Sequence, residues 1–237
     1  MMDIKAVCFD IDGTMYPKWM THLFLVPTLF GSPSLMRSIQ KFRAYMRSGG
    51  DIQVTPPTQE GFRMKQAEFV LKQLNRDPDA SEIEMMERRI EKSFYRKMEK
   101  PFTRIVAYRG LEKTLDFLCK RGIWIGALSD FPIEEKLKTL KVAHLIDFAE
   151  CTEVSGFLKP HRAPFEYLVK MANCPPHQIL YVGDSYRKDI VGAHEAGMRT
   201  ALLLPHSRGK KKEKYPLSDI LFSDYDQFKR TLDTLIT

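Results

Sequence analysis

The segment Ile4-Lys5-Ala6-Val7-Cys8-Phe9-Asp10-Ile11-Asp12-Gly13-Thr14 constrains this chain more than any other. Ile4 to Phe9 is a largely apolar run that reads as a buried strand of a parallel sheet. Asp10 to Thr14 then put two carboxylates, a flexible Gly and a hydroxyl at the strand's carboxyl end, where open α/β sheets bind ligands. Carboxylates so close repel each other unless a cation or a shared proton compensates. Mg²⁺ meets that need best, because it takes oxygen ligands and is held by a few carboxylates, water and substrate phosphate. Asp-x-Asp-Gly also opens calcium loops, but those end in a Glu at the twelfth position, which here is Thr21. A plain turn after a strand is the remaining alternative, since Asp and Gly are common turn formers.

Three later segments bear on that choice. Gly122 to Leu128 is a second strand candidate, ending in Ser129-Asp130. Gly156-Phe157-Leu158-Lys159-Pro160 carries a lysine in a turn-like setting before a helical segment. Ile179 to Val182 is a third strand, ending in Gly183-Asp184-Ser185, with Asp189 following. Taken singly, Ser129 reads as the cap of a helix starting near Pro132. Lys159 alone is a solvated loop lysine. Asp184 alone is an N-cap, and Asp189 a first-turn acid favoured by the helix dipole. Together they supply a hydroxyl, a cation and a second acidic pair at strand ends that parallel topology brings to one sheet edge.

With these motifs in this order, the chain resembles the haloacid dehalogenase-like hydrolase superfamily. The resemblance covers residues 1–15 and 105–237 and implies an α/β core with a doubly wound, Rossmann-like parallel sheet. It implies that Asp10 is the nucleophile of an aspartyl-phosphate and that Asp12 is the general acid/base. It further implies that Ser129 and Lys159, with Asp130 beside them, hold the phosphoryl group. Asp10, Asp184 and the backbone carbonyl of Asp12 would hold Mg²⁺, with Asp189, Thr14 and Ser185 supporting that shell. The implied activity is a phosphatase acting on a small phosphorylated metabolite. Dehalogenases resembling this fold lack the second Asp of the first motif, so Asp12 argues against that chemistry. A phosphosugar mutase keeps both acids and stays as an alternative, as does a non-catalytic binding protein that docks a partner through its inserted segment.

The residues justify the chemistry independently. A phosphate dianion repels an approaching carboxylate, so both need a cation such as Lys159 and a divalent metal. Asp10 must stay ionised to attack, and a nearby cation lowers a carboxylate's pKa by roughly 1–3 units. Asp12 must hold a proton for the leaving alkoxide and later take one from water. Ser129 would donate to a phosphoryl oxygen.

Residues 16–104 break the strand–helix alternation. Ser32-Pro33 is expected to cap and open a helix with Leu35, Ile39, Phe42 and Met46 on one face. Glu60–Asn75 is expected to be a second helix. Ser81-x-x-Glu84 is expected to be a capping box opening a third, with Ile83, Met86, Ile90 and Phe94 as its stripe. By the resemblance this insertion is a mobile helical cap that selects substrate. Arg37, Lys41, Arg43 and Arg47 lie around the rest of the first helix and are expected to be solvated. The sharper alternative has some of them facing the cleft to attract anionic substrates, with Trp19, Phe24 and Phe30 touching a ring-bearing leaving group. After residue 104, helices are expected at Gly110–Arg121, Glu134–Lys141, Ala163–Ala172, beyond Asp189, and at Tyr225–Leu235. They alternate with strands at Phe148–Cys151, Thr200–Leu204 and Ile220–Phe222.

Composition adds less. The chain has 237 residues and a net charge of +7, part of it from the run Arg208 to Lys214. That run reads as a solvated loop, and no nucleic-acid-binding motif accompanies it. Cys8, Cys119, Cys151 and Cys174 form no CxxC pair, so buried reduced thiols and a cytoplasmic protein are expected. With a strand starting at the fourth residue, no secretory leader is expected. Leu23 to Phe30 is apolar but too short to span a membrane.

Overall fold

In the computed structural model, which describes residues 2–21, 32–74, 77–97, 102–205 and 212–236, β1 (Ala6–Phe9) sits in the middle of a parallel sheet. Its neighbours are β2 (Trp124–Ser129) and β4 (Ile179–Gly183), with β3 (Phe148–Cys151) beyond β2. On the other side β5 (Arg199–Leu203) and β6 (Ile220–Phe222) complete the order β3-β2-β1-β4-β5-β6. Every pairing is parallel. The strand order reverses between β1 and β4, and that switch point is where a crevice opens at the carboxyl ends.

The register places the site. Phe9 is level with Ala127 and with Val182, so Asp10, Ser129 and Asp184 leave the sheet on the same edge. Side chains alternate across β1. Val7 and Phe9 pack into the cluster that includes Leu115, Leu118 and Phe228, whereas Ala6 and Cys8 face Phe165, Leu168 and Tyr181. Both faces are therefore covered, which explains why β1 and β4 read as near-continuous apolar runs.

Helices α4 (Leu111–Lys120), α5 (Glu134–Leu140), α6 (Arg162–Ala172), α7 (Val191–Glu195) and α8 (Tyr225–Leu235) lie within a few residues of their expected spans. The helix after β4 begins with a widened turn, Tyr186–Ile190, so Asp189 lies inside it rather than ahead of it.

Between β1 and α4 come α1 (Pro33–Arg47), α2 (Gln59–Lys72) and α3 (Ala80–Ile90), the last extended by a wide turn over Glu91–Tyr95. The α1 stripe of Leu35, Ile39, Phe42 and Met46 is buried, with Pro33 at the start of the helix as expected. Ser32 stands at the N-cap but its side chain makes no cap bond. The α3 box differs from expectation. Asp79 caps the helix, accepting from Glu82 N–H at 2.9 Å, and Glu82 Oε2 accepts from Asp79 N–H at 3.3 Å. Asp-x-x-Glu satisfies the same orphan donors two residues earlier, leaving Ser81 to donate to Asp79 Oδ1 at 2.9 Å.

Of the thiols expected to be buried, Cys8 and Cys151 are, Cys174 is half-buried, and Cys119 is exposed because it falls on the outer face of α4. Among the described residues no helix is long and apolar enough to cross a membrane. The apolar stretch Leu23–Phe30 and most of the basic run Arg208–Lys214 lie outside the described residues.

Candidate active site

Asp10 emerges directly from β1, anchored by its N–H donating to Val182 O at 2.8 Å. Both of its carboxylate oxygens are engaged. Lys159 Nζ lies 2.6 Å from Oδ1, and Thr14 Oγ1 donates to Oδ2 at 2.9 Å. Thr14 is in turn fixed through its carbonyl, which accepts from Tyr225 OH at 2.8 Å. Gly13 turns the chain at φ +101°, and a Cβ there would come within 2.6 Å of Asp184 Oδ2. Only glycine lets the first and last motifs approach so closely.

Lys159 is 2 % exposed and bridges two acids, reaching Asp189 Oδ1 at 2.8 Å as well as Asp10. Tyr181 OH accepts from the same ammonium at 3.0 Å. Asp189 Oδ2 accepts from Ser185 N–H at 3.0 Å, and Ser185 caps its own turn by accepting from Lys188 N–H at 3.3 Å. The N-cap after β4 is thus Ser185 and not Asp184.

Asp10, Asp184 and Asp189 each offer an oxygen within 4.8 Å of the others. Burial pushes Asp10 up to about 7 despite the opposing pull of Lys159. Burial also raises Asp184 and Asp189, and negative neighbours add to it. Three oxygen donors that resist ionising together are a donor set for a hard divalent cation, and they fit Mg²⁺. The Asp12 carboxylate is not in this group. Lys18 Nζ stands 2.6 Å from Asp184 Oδ2.

The Asp12 carboxylate turns instead toward α5 and the segment after β1. Oδ2 accepts from Ser129 Oγ at 2.6 Å and lies 2.6 Å from Lys136 Nζ, while Tyr16 OH donates to Oδ1. Burial pulls the Asp12 pKa up, but the Lys136 charge and these hydrogen bonds outweigh it and hold the group below its ordinary value. Ser129 Oγ also accepts from Phe131 N–H at 3.1 Å, so the residue serves both the local turn and the Asp12 carboxylate.

Asp130 was expected beside the phosphoryl group, and its carboxylate is engaged elsewhere. It accepts from Arg47 at 2.9 Å, from Thr152 Oγ1 at 3.0 Å and from Lys159 N–H at 3.3 Å. Burial opposes ionisation, yet Arg47, Lys159 and Arg43 hold it well below the usual carboxylate range. A carboxylate so firmly ionised repels phosphate, which leaves only its backbone N–H for the expected role.

The cationic face of α1 divides. Arg37 and Lys41 are exposed, as a solvated face requires. Arg43 is buried, paired with Glu153 at 2.6 Å and donating to the Asp130 carbonyl. Arg47 lines the pocket. Trp19 is 60 % exposed and lines nothing there, while Phe24 and Phe30 lie outside the described residues.

The pocket these groups enclose measures about 190 Å³, and Thr21, Lys188 and Phe131 complete its wall among the described residues. Sequence reasoning missed Lys136, Tyr16, Lys18 and Lys188. For Lys136 there was a signal, a cation in the first turn of α5, where the helix dipole disfavours one. A lysine there needs a compensating anion, here Asp12.

A family model described as haloacid dehalogenase-like hydrolase matches residues 4–197. Phosphoglycolate phosphatase of Mannheimia succiniciproducens is 36% identical over 93 residues, 38% of this chain and 41% of that protein. Glyceraldehyde 3-phosphate phosphatase of Methanopyrus kandleri is 27% identical over 94% of this chain and 92% of its own. The chain spans about half the length of the first curated relatives it matches. Among solved structures, the 2-haloacid dehalogenase of Pseudomonas syringae pv. Tomato DC3000 superposes with a TM-score of 0.65 at 22% identity. The superposition covers 98% of this chain and 99% of that one, a likeness of fold.

Proposed function

Because the chain belongs to the haloacid dehalogenase-like hydrolase family, we propose that it is a Mg²⁺-dependent phosphatase of a small-molecule phosphate monoester. The observation that carries this reading is the pairing of Asp10 with Lys159 beside Asp12 and Asp184 in one pocket, with Ser129 bonded to Asp12 behind its wall.

In this reading an Asp10 oxygen attacks phosphorus, forming an aspartyl-phosphate as the bond to the ester oxygen breaks. The leaving oxygen takes its proton from Asp12. Lys136 holds Asp12 ionised before substrate binds, and the charge of an arriving phosphate pushes its pKa back up, allowing it to carry that proton. Asp12 then takes a proton from water as that water attacks the aspartyl-phosphate, and Asp10 and inorganic phosphate are released. Lys159 offsets charge on the phosphoryl oxygens, and Ser129 turns its hydroxyl from Asp12 to one of them. Mg²⁺ held by Asp10, Asp184 and Asp189, with the Asp12 carbonyl, would neutralise phosphate charge and orient the group.

Residues 16–104 act as the cap over a core of 1–15 and 105–237. In support, Arg43–Glu153 and Arg47–Asp130 tie α1 to loops after β3 and β2. A cytoplasmic setting belongs to the same reading, supported by the buried thiols Cys8 and Cys151.

The test is phosphate release across a panel of small phosphate esters, with EDTA controls and the Asp10→Asn variant. Metal-dependent release lost in Asp10→Asn supports the assignment. Release that persists in pure Asp10→Asn overturns it.

A further inference from the structure

We propose that Arg47 and Lys188 form a subsite for a second anionic group on the substrate. The inference rests on the phosphatase reading and narrows it to short phosphate monoesters that also carry a carboxylate or a second phosphoryl group.

Lys18, Arg47, Lys159 and Lys188 all line the pocket. Two of them have their partners: Lys159 bridges Asp10 and Asp189, and Lys18 pairs with Asp184. The other two have capacity left. Arg47 gives one terminal N–H to Asp130, and its buried Nε–H has no acceptor among the described residues. A guanidinium offers five N–H donors, and Asp130 is already shared with Thr152 and the Lys159 backbone. The Lys188 ammonium makes no ion pair among the described residues; only its backbone N–H is bonded, to Ser185. Unused N–H donors on Arg47 and a lysine without an ion pair, both in a pocket wall, are what an anionic ligand requires.

The rest of the wall agrees. Among the described residues Phe131 is the one apolar side chain in the lining, and the other side chains there are charged or hydroxyl-bearing. The volume of about 190 Å³ is below the ~300–1,000 Å³ of pockets that take drug-sized ligands. A few-carbon frame with an anion at each end matches both facts.

Glycerol 3-phosphate, 3-phosphoglycerate and glycerol 1,3-bisphosphate share a frame and end in a hydroxyl, a carboxylate and a phosphoryl group. Their kcat/KM values are compared for the full chain, Arg47→Met and Lys188→Met with Mg²⁺ present. The unmodified chain should prefer an anionic end by about 10- to 100-fold, the worth of a charge-assisted hydrogen bond. A preference for the carboxylate or for the bisphosphate identifies which anion is read. Each substitution should shrink that preference, chiefly through KM, and cost the anionic esters more than glycerol 3-phosphate. Lys188→Met is the cleaner variant, since it breaks no ion pair. Equal losses on all three esters would assign both cations to the transferring phosphate and overturn the subsite. So would an unmodified chain with no preference, or a preference untouched in Lys188→Met. No release from any of them, nor from 4-nitrophenyl phosphate, would bring down the phosphatase reading itself and the subsite with it.

Discussion

Lys136 Nζ lies 2.6 Å from Asp12 Oδ2 and 3.3 Å from Ser129 Oγ, fully buried beneath the rings of Phe102 and Phe131. This pair joins α5 to the loop after β1 and sets the charge on the group assigned to proton transfer. Removing one partner of a buried ion pair leaves the other uncompensated, at a cost of about 3–5 kcal/mol. Lys136→Met should therefore lower unfolding free energy by that order in a denaturant titration. It should also move the basic limb of the pH–rate profile to higher pH, because Asp12 must carry a proton to the leaving oxygen and Lys136 holds its pKa down. An unmoved basic limb would remove Lys136 from any part in proton transfer.

Ser129 and Asp10 separate by magnitude. Asp10→Asn should abolish turnover while the circular dichroism spectrum and cooperative unfolding persist. Ser129→Ala removes one donor to a phosphoryl oxygen and should cost about 10²–10³ in kcat. Equal losses from both would argue that Ser129 matters through Asp12 rather than through phosphate.

Stability of the metal-free protein should fall as pH rises across the window set by Asp10. Burial lifts that carboxyl from its ordinary 3.8 to about 7, so between those values the folded state holds a proton that the unfolded state has lost. Unfolding then becomes easier as pH rises through the window. Melting temperatures in EDTA should drop on going from the acid to the neutral end, and added Mg²⁺ should flatten the trend. A trend identical with and without Mg²⁺ would count against Asp10 as a ligand.

Lys18 occupies Asp184 Oδ2 at 2.6 Å, where a cation bound by Asp184 would compete with it. The lysine is about half exposed, so the pair is worth only about 0.2–1 kcal/mol. Lys18→Met should tighten Mg²⁺ binding by no more than about fivefold in a calorimetric titration. Weaker binding would mean that Lys18 supports the site instead of competing for it.

The sequence by itself determined the sheet and the residues that gather at its carboxyl edge. Val7, Phe9, Leu180 and Val182 are apolar because both sheet faces are covered, and this made β1 and β4 readable. Asp10, Asp12, Ser129, Lys159 and Asp184 stand at or near strand ends, so parallel topology alone implied that they meet. Tertiary structure decided the charge partners. Whether Arg43 is solvated or buried depends on Glu153, far along the chain, and the periodicity of α1 carries no trace of that residue. Lys136 and Lys188 look alike in sequence, each a lysine near the start of a helix. One is buried against Asp12, and the other stands at the pocket wall without an ion pair among the described residues. Strand patterns follow from local alternation and burial. The partner of a long flexible cation follows from which helix packs over which loop, and that is fixed only when the chain closes on itself.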